Sequence, residues 1–226
     1  ERDDAWLDFS ELHPLDDGSF VWLALRDGHR HLDRRDGQTG ALVTPLTRGE
    51  WDVFGVAGQH DDGTGLAIYF IGNQDAVLDR QLYRVVGDSI TRVTKDDGVH
   101  EINAERLEHG FIDVWSANGV LPSAQVRSVA GNIIGELPVP HDADLESLKI
   151  RPMEMITLTG EVELHGALLK PRNLEPGKRY PVLVQVYGGP GVQKIDNSYD
   201  PRLLWQHLAD RGVAVFQIDN RGSKGR

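Results

Sequence analysis

A tyrosine set directly before glycines and a proline, in Tyr187-Gly188-Gly189-Pro190-Gly191, is the arrangement in this chain with the clearest chemical use. The residues before it, Tyr180-Pro-Val-Leu-Val-Gln-Val186, are an apolar, β-branched run, so a buried strand is expected to deliver a phenol to the mouth of a sharp turn. A phenol donates one hydrogen bond and can be aimed in advance. At such a turn it can stabilise the oxyanion of acyl transfer, a contribution of about 3 kcal/mol.

Acyl transfer also needs a nucleophile, a base and an orienting carboxylate. The strained turn that presents a serine in hydrolase sheets reads G-x-S-x-G, and no serine of this chain has that pattern. Ser223, in Arg221-Gly-Ser-Lys-Gly225, comes nearest, but Arg221 stands where the first glycine belongs, so Ser223 is not read as a nucleophile. The glycines from Gly188 to Gly191 have neither the phosphate-loop nor the dinucleotide spacing, and no cofactor is expected.

His29 and His31 lie two apart on one strand face with no third ligand in register, which predicts a solvated hairpin rather than a metal site. Asp33, Asp36, Asp61 and Asp62 sit beside turn glycines and are expected to hydrogen-bond the backbone. Asp219 and Arg221 are expected to fix the loop after their strand through a charge-assisted bond. His165 alternates with Val162 and Leu164 along a half-buried strand and is not read as a general base.

The elements that must position these residues fall into two kinds. An internal period of roughly 45 residues, the spacing of propeller blades, relates Phe20-Val-Trp-Leu-Ala-Leu with its sequel to Thr47, and Leu66-Ala-Ile-Tyr-Phe-Ile with its sequel to Thr94. A weaker copy runs from Phe111 to Leu137. Asp-Gly, Gly-Asp and Ala-Gly-Asn turn signals divide each copy into short strands, so each reads as an antiparallel blade of four strands, with two to three blades in all. Trp22, Trp51, Tyr69 and Trp115 are read as recurring at corresponding blade positions, where packing between neighbouring blades explains them better than ligand stacking. A propeller closes with more blades than that, so further blades are expected upstream.

Beyond Pro138-Val-Pro140 the pattern changes. Residues 142–149 predict a short amphipathic helix with acids in its first turn and Lys149 in its last. Met155–Leu158 and Val162–Leu169 can pair through Thr159-Gly160. Asp200-Pro201 as N-cap and first turn, and Gly212 as the C-terminal cap, predict a helix over residues 202–211. Val213–Asp219 then reads as a strand parallel to the one that ends at Tyr187. The fold expected is mainly β: the C-terminal blades of a β-propeller over residues 1–140, then a linker helix and the first strands of an α/β-hydrolase domain over residues 141–226.

The chain resembles the dipeptidyl peptidase IV subfamily of the prolyl oligopeptidase clan of serine peptidases. The resemblance runs through Arg26-Asp-Gly-His-Arg-His-Leu, Gly49-Glu-Trp-Asp-Val, Ile68-Tyr-Phe, Leu82-Tyr-Arg-Val, Tyr187-Gly-Gly-Pro and Asp219-Asn-Arg-Gly-Ser-Lys-Gly. It implies that Tyr187 is one of two oxyanion donors and that the parent protein releases N-terminal dipeptides, often after proline or alanine, through an acyl-enzyme. The implied partners are peptides with a free N-terminus, and members of this family often form homodimers. In the family the ammonium is held by paired glutamates, and the serine, aspartate and histidine lie beyond the region matched; none of these motifs can be placed on this chain, which as written is expected to be inactive. Within the clan, an oligopeptidase or acylaminoacyl peptidase is the alternative, and outside it a non-catalytic propeller that binds peptides.

Composition sets outer limits. With 226 residues and 39% hydrophobic content the chain can bury a core in one or two domains. A mean hydropathy of −0.37 without a long apolar run argues against a membrane span in this segment. The absence of cysteine excludes disulfides and thiolate chemistry and leaves the compartment open, with the cytoplasm favoured over the periplasm or secretion. A formal charge of −11 argues against nucleic acid as a partner. Residues 1–140 hold 24 acidic and 12 basic side chains against 11 and 12 in the remainder, a bias that keeps the first part soluble and could attract the ammonium of a peptide. Both ends read as cut from a longer protein.

Overall fold

The computed structural model of the chain describes residues 12–61, 63, 65–104, 106–140 and 143–225. Among them, strands form four sheets of four. The first contains β1 (Leu12–Pro14), β2 (Phe20–Arg26), β3 (His29–Arg35) and β4 (Leu42–Pro45), neighbouring in chain order. The β2–β3 turn has both central residues at positive φ, Asp27 at 51° and Gly28 at 84°, the tight-hairpin geometry that an Asp-Gly pair permits. The second sheet repeats the order with β5 (Val53–Asp61), β6 (Leu66–Gly72), β7 (Gln81–Val86) and β8 (Ser89–Arg92). The third follows with β9 (Val99–Asn103), β10 (Phe111–Ala117), β11 (Val120–Arg127) and β12 (Ile133–Leu137).

The sequence period has a structural counterpart. Thr47 Oγ1 accepts the Leu32 amide at 2.9 Å and Thr94 Oγ1 accepts the Leu82 amide at 3.0 Å, so the two threonines occupy equivalent places beside β3 and β7. Each also meets the side chain before that leucine: His31 Nδ1 lies 3.1 Å from Thr47 Oγ1, and Thr94 donates to Gln81 Oε1 at 2.6 Å.

Packing between successive sheets makes the core. Leu23 and Leu32 of the first sheet cluster with Ile68, Phe70 and Tyr83 of the second and with Trp51 from the segment before β5, which stacks on Phe70 with centroids 6.0 Å apart. Tyr69 and Leu82 face Leu107 and Phe111 in the next layer. Trp51 and Tyr69 thus pack between blades. They are not in corresponding positions, however: the strand pairings equate Trp22 with Phe70 and Tyr69 with Val21, and Trp51 precedes β5. A one-residue offset along a strand reverses the face a side chain occupies, so recurrence by residue type misaligned them.

His31 is buried and not part of a solvated hairpin; its Nε2 meets Gly49 O at 2.9 Å. Burial holds its imidazole below the ordinary value. Asp33 is also fully buried, inside β3 rather than in a turn, and receives Arg26 Nη2 at 2.6 Å and Arg35 Nη2 at 3.1 Å. Asp36 and Asp61 do accept nearby turn amides, from Thr39 and Gly63. Asp62 lies outside the described residues.

Two compact units divide the chain. One comprises the described residues up to Trp115 with Ser123–Pro138 and Gly225; the other comprises Ser116–Pro122 and Val139–Lys224. In the second unit the predicted linker helix is a single turn, α1 (Ala143–Ser147), and Lys149 lies past its end with φ 47°. The sheet contains β13 (Glu154–Leu158), β14 (Leu164–Leu169), β15 (Val182–Val186) and β16 (Ala214–Ile218), with spatial order β13-β14-β16-β15. β13 and β14 form the expected antiparallel pair, and β15 and β16 the expected parallel one. The antiparallel β14–β16 pairing joins them.

Between β15 and β16 runs α2 (Leu203–Asp210), whose Trp205 and Ala209 pack on Leu169 and Val215. Its end is capped as predicted: the amides of Gly212 and Val213 return to the carbonyls of Ala209 and Leu208. Its start differs. Arg202, not Asp200, is the N-cap, and the Asp200 carboxylate instead accepts the Arg202 amide at 3.2 Å and Nε at 2.5 Å. Two adjacent charges of opposite sign close a local ring more readily than the carboxylate reaches the first helical turn.

Candidate active site

Because β15 and β16 are parallel neighbours with Val186 opposite Ile218, the next residue of each, Tyr187 and Asp219, emerges at the same edge of the sheet. The carboxyl ends of parallel strands are where open α/β sheets build their sites. Gly188 and Gly191 turn the chain sharply there, at φ 76° and 74°. A Cβ on Gly189 would stand 2.9 Å from Tyr187 Cε1, so only glycine leaves the tyrosine ring its place.

The loop after β16 braces this turn. Gly191 N donates to Gly222 O at 2.9 Å, and Asn220 Nδ2 lies 3.4 Å from Gly189 O. Asp219 holds the segment that follows: its two carboxylate oxygens accept the amides of Lys194 at 2.8 Å and Ile195 at 2.9 Å. Burial raises the Asp219 carboxyl above the ordinary carboxylate value and Asp196 adds to the rise, while the two amides and His165 oppose it. The Asp219 amide itself donates to the His165 carbonyl at 2.9 Å. The expected bond between Asp219 and Arg221 is therefore replaced. Asp219 faces inward to backbone amides, and Arg221 is exposed.

Tyr187 is 53% exposed, and Lys194 Nζ lies 5.7 Å from its ring centroid. The phenol is free to meet an incoming group. The strand that carries it is not buried, contrary to the sequence expectation: every residue of β15 is exposed, with Val182 at 56% and Val184 at 58%. β15 is the edge of its sheet, paired through β16 alone among the described residues, and its valines and leucine are only about half covered on both faces. Ser223 is buried and its hydroxyl donates to Asn220 O at 2.9 Å, a structural bond. His165 is half-buried beside Glu163.

Sequence reasoning missed the bracing by Asp219 and Asn220. Its one signal is the polar Asp-Asn-Arg-Gly run directly after a strand parallel to β15. Among the described residues no group of three or more His, Asp or Glu side chains is placed to hold a metal, and no helix is long and apolar enough to cross a membrane.

Several known proteins are similar to this chain. It is 30% identical to mouse dipeptidyl peptidase 8 over 276 aligned positions, which cover 99% of this chain and 30% of that protein. It is 27% identical to dipeptidyl aminopeptidase A of Saccharomyces cerevisiae, over 96% of this chain and 26% of that one. The crystal structure of Porphyromonas gingivalis dipeptidyl peptidase 4 has the same fold over 95% of the chain, with a TM-score of 0.83 at 24% identity and 31% of its own length covered. The chain thus spans under a third of the length of each. Residues 1–121 match the dipeptidyl peptidase IV (DPP IV) N-terminal region, and the chain belongs to that family.

Proposed function

We propose that this chain is part of a serine exopeptidase that releases N-terminal dipeptides, preferably after proline or alanine, through an acyl-enzyme. Residues 1–140 contribute propeller blades, and residues 141–226 contribute a linker and the opening of the hydrolase domain. The observation that carries the reading is the half-exposed Tyr187 phenol at the shared edge of β15 and β16, on a glycine turn braced by the loop after β16.

In acyl transfer the carbonyl oxygen gains negative charge as the nucleophile adds, and a pre-aimed phenol stabilises that charge more than it stabilises the neutral carbonyl. Tyr187 supplies this donor. The nucleophile, base and ammonium-binding acids are supplied by other parts of the parent protein, and the chain alone is inactive. Tyr187→Phe in the full-length protein removes the donor while keeping the ring. The expected result is a fall in kcat of roughly 100-fold to 1,000-fold with unchanged thermal stability. An unchanged kcat would remove Tyr187 from the mechanism.

A further inference from the structure

From the contacts around the Tyr187 turn we propose that Asp219 is a positioning residue for Tyr187: its buried carboxylate, by accepting the amides of Lys194 and Ile195, fixes the segment that closes the turn and so fixes the aim of the phenol. This rests on the reading of Tyr187 as the oxyanion donor.

Tyr187 is half-exposed, so side-chain packing alone only partly restrains its ring. The remaining restraint is backbone. The turn is tied at Gly191 to Gly222 and at Gly189 to Asn220, and residues 194 and 195 are tied to Asp219. Asp219, Asn220 and Gly222 all belong to the loop leaving β16, so one strand end carries all three ties. The Asp219 anchor is the charged one, and hydrogen bonds from amides to an ionised carboxylate are about twice as strong as neutral ones. The same anchor sets Lys194, whose ammonium lies over the Tyr187 ring. Asp219 is buried, and its two carboxylate oxygens are engaged by the backbone amides of Lys194 and Ile195. Its effect on the reaction therefore passes through Tyr187.

A double-mutant cycle in the full-length protein tests this. Asp219→Asn keeps the size of the side chain, but an amide accepts from one backbone N–H and opposes the other with its own. Asp219→Asn alone should lower kcat about tenfold with KM within about twofold. Combined with Tyr187→Phe it should lower kcat no further than Tyr187→Phe does, because a misaimed phenol matters only where there is a phenol. Losses that multiply in the double variant, or an Asp219→Asn enzyme as fast as the wild type, overturn the positioning role. A Tyr187→Phe enzyme of normal speed instead sinks the oxyanion reading, and the positioning role with it.

If Asp219→Asn does not fold, Lys194→Pro and Lys194→Ala replace it. Both remove the ammonium, and only proline removes an amide that Asp219 accepts. Lys194→Pro should be about tenfold slower than Lys194→Ala in the presence of Tyr187 and equal to it in the Tyr187→Phe background. Equal rates in the Tyr187 background overturn the proposal.

Discussion

Thr47 and Leu32 are joined by a 2.9 Å hydrogen bond from amide to hydroxyl that Thr94 and Leu82 repeat one blade later at 3.0 Å. All four residues are buried, so these bonds tie the end of each blade to its own third strand in the absence of water. Thr47→Val or Thr94→Val leaves a buried amide without its acceptor and should cost about 1–3 kcal/mol each. Denaturant midpoints check this, and serine at either position should retain most of the stability. A valine variant as stable as the wild type would show that the bonds do not hold the blades.

His31 and Gln81 are the equivalent partners of those threonines, and only the histidine titrates. Burial pushes the His31 imidazole below its ordinary value of 6.5; His29 and Arg26 reinforce this, and Gly49 and Asp52 oppose it. The unfolded chain therefore binds the proton first. The contribution is fully present above about pH 6.5 and is lost as pH falls from there through the lowered folded-state value. His31→Gln, borrowing the side chain of the next blade, should flatten the fall in melting temperature as pH drops below about 6.5. An undiminished slope in the variant would assign the acid sensitivity elsewhere.

Asp113 is the anion of a buried cluster in the third sheet. His100 Nδ1 lies 2.8 Å from it, and Arg127 Nε lies 2.7 Å away with its N–H pointing off the oxygen, while Arg127 Nη1 and Nη2 reach Gly131 O and Asp96. Asp113→Asn leaves the guanidinium without the one fully buried counter-charge it has among the described residues. The expected loss is about 3–5 kcal/mol of stability. A loss under about 1 kcal/mol would mean that Asp96 and the carbonyls alone hold Arg127.

β15 presents an open edge and two exposed faces of valine and leucine. Such an edge pairs with other chains, so the 226-residue chain expressed alone should dimerise or aggregate. Light scattering checks this, and Val184→Lys, a charge on the exposed edge, should reduce the association without lowering stability. A monomer with one cooperative unfolding transition would contradict it.

Much of this fold was legible because its signals are local. The Asp27-Gly28 turn and the cap at Gly212 follow from residues near one another in sequence, and the repeat from Thr47 to Thr94 and the parallel pair around α2 follow from local strand, turn and cap patterns that recur along the chain. What escaped depends on distant partners. Nothing near His31 announces that Gly49 and Thr47 will bury it, and although both arginines lie close to Asp33 in sequence, its burial follows from the pairing of β3 with β2 and not from a turn signal. The run before Tyr187 reads as an interior strand, because hydrophobic residues on both faces suit one, yet its neighbours decide its burial. At the site, Tyr187 was legible from the glycines that follow it. The role of Asp219 was not, since the amides it accepts lie some 25 residues upstream.

The most direct test of the proposed activity is hydrolysis by the full-length protein of an Ala-Pro chromogenic amide and of the same compound with its amine acetylated. Cleavage of the free-amine compound alone is the result expected of an exopeptidase that reads the N-terminal ammonium. Cleavage of the acetylated compound would instead indicate an oligopeptidase or acylaminoacyl peptidase, and cleavage of neither would leave a propeller that binds peptides without cutting them.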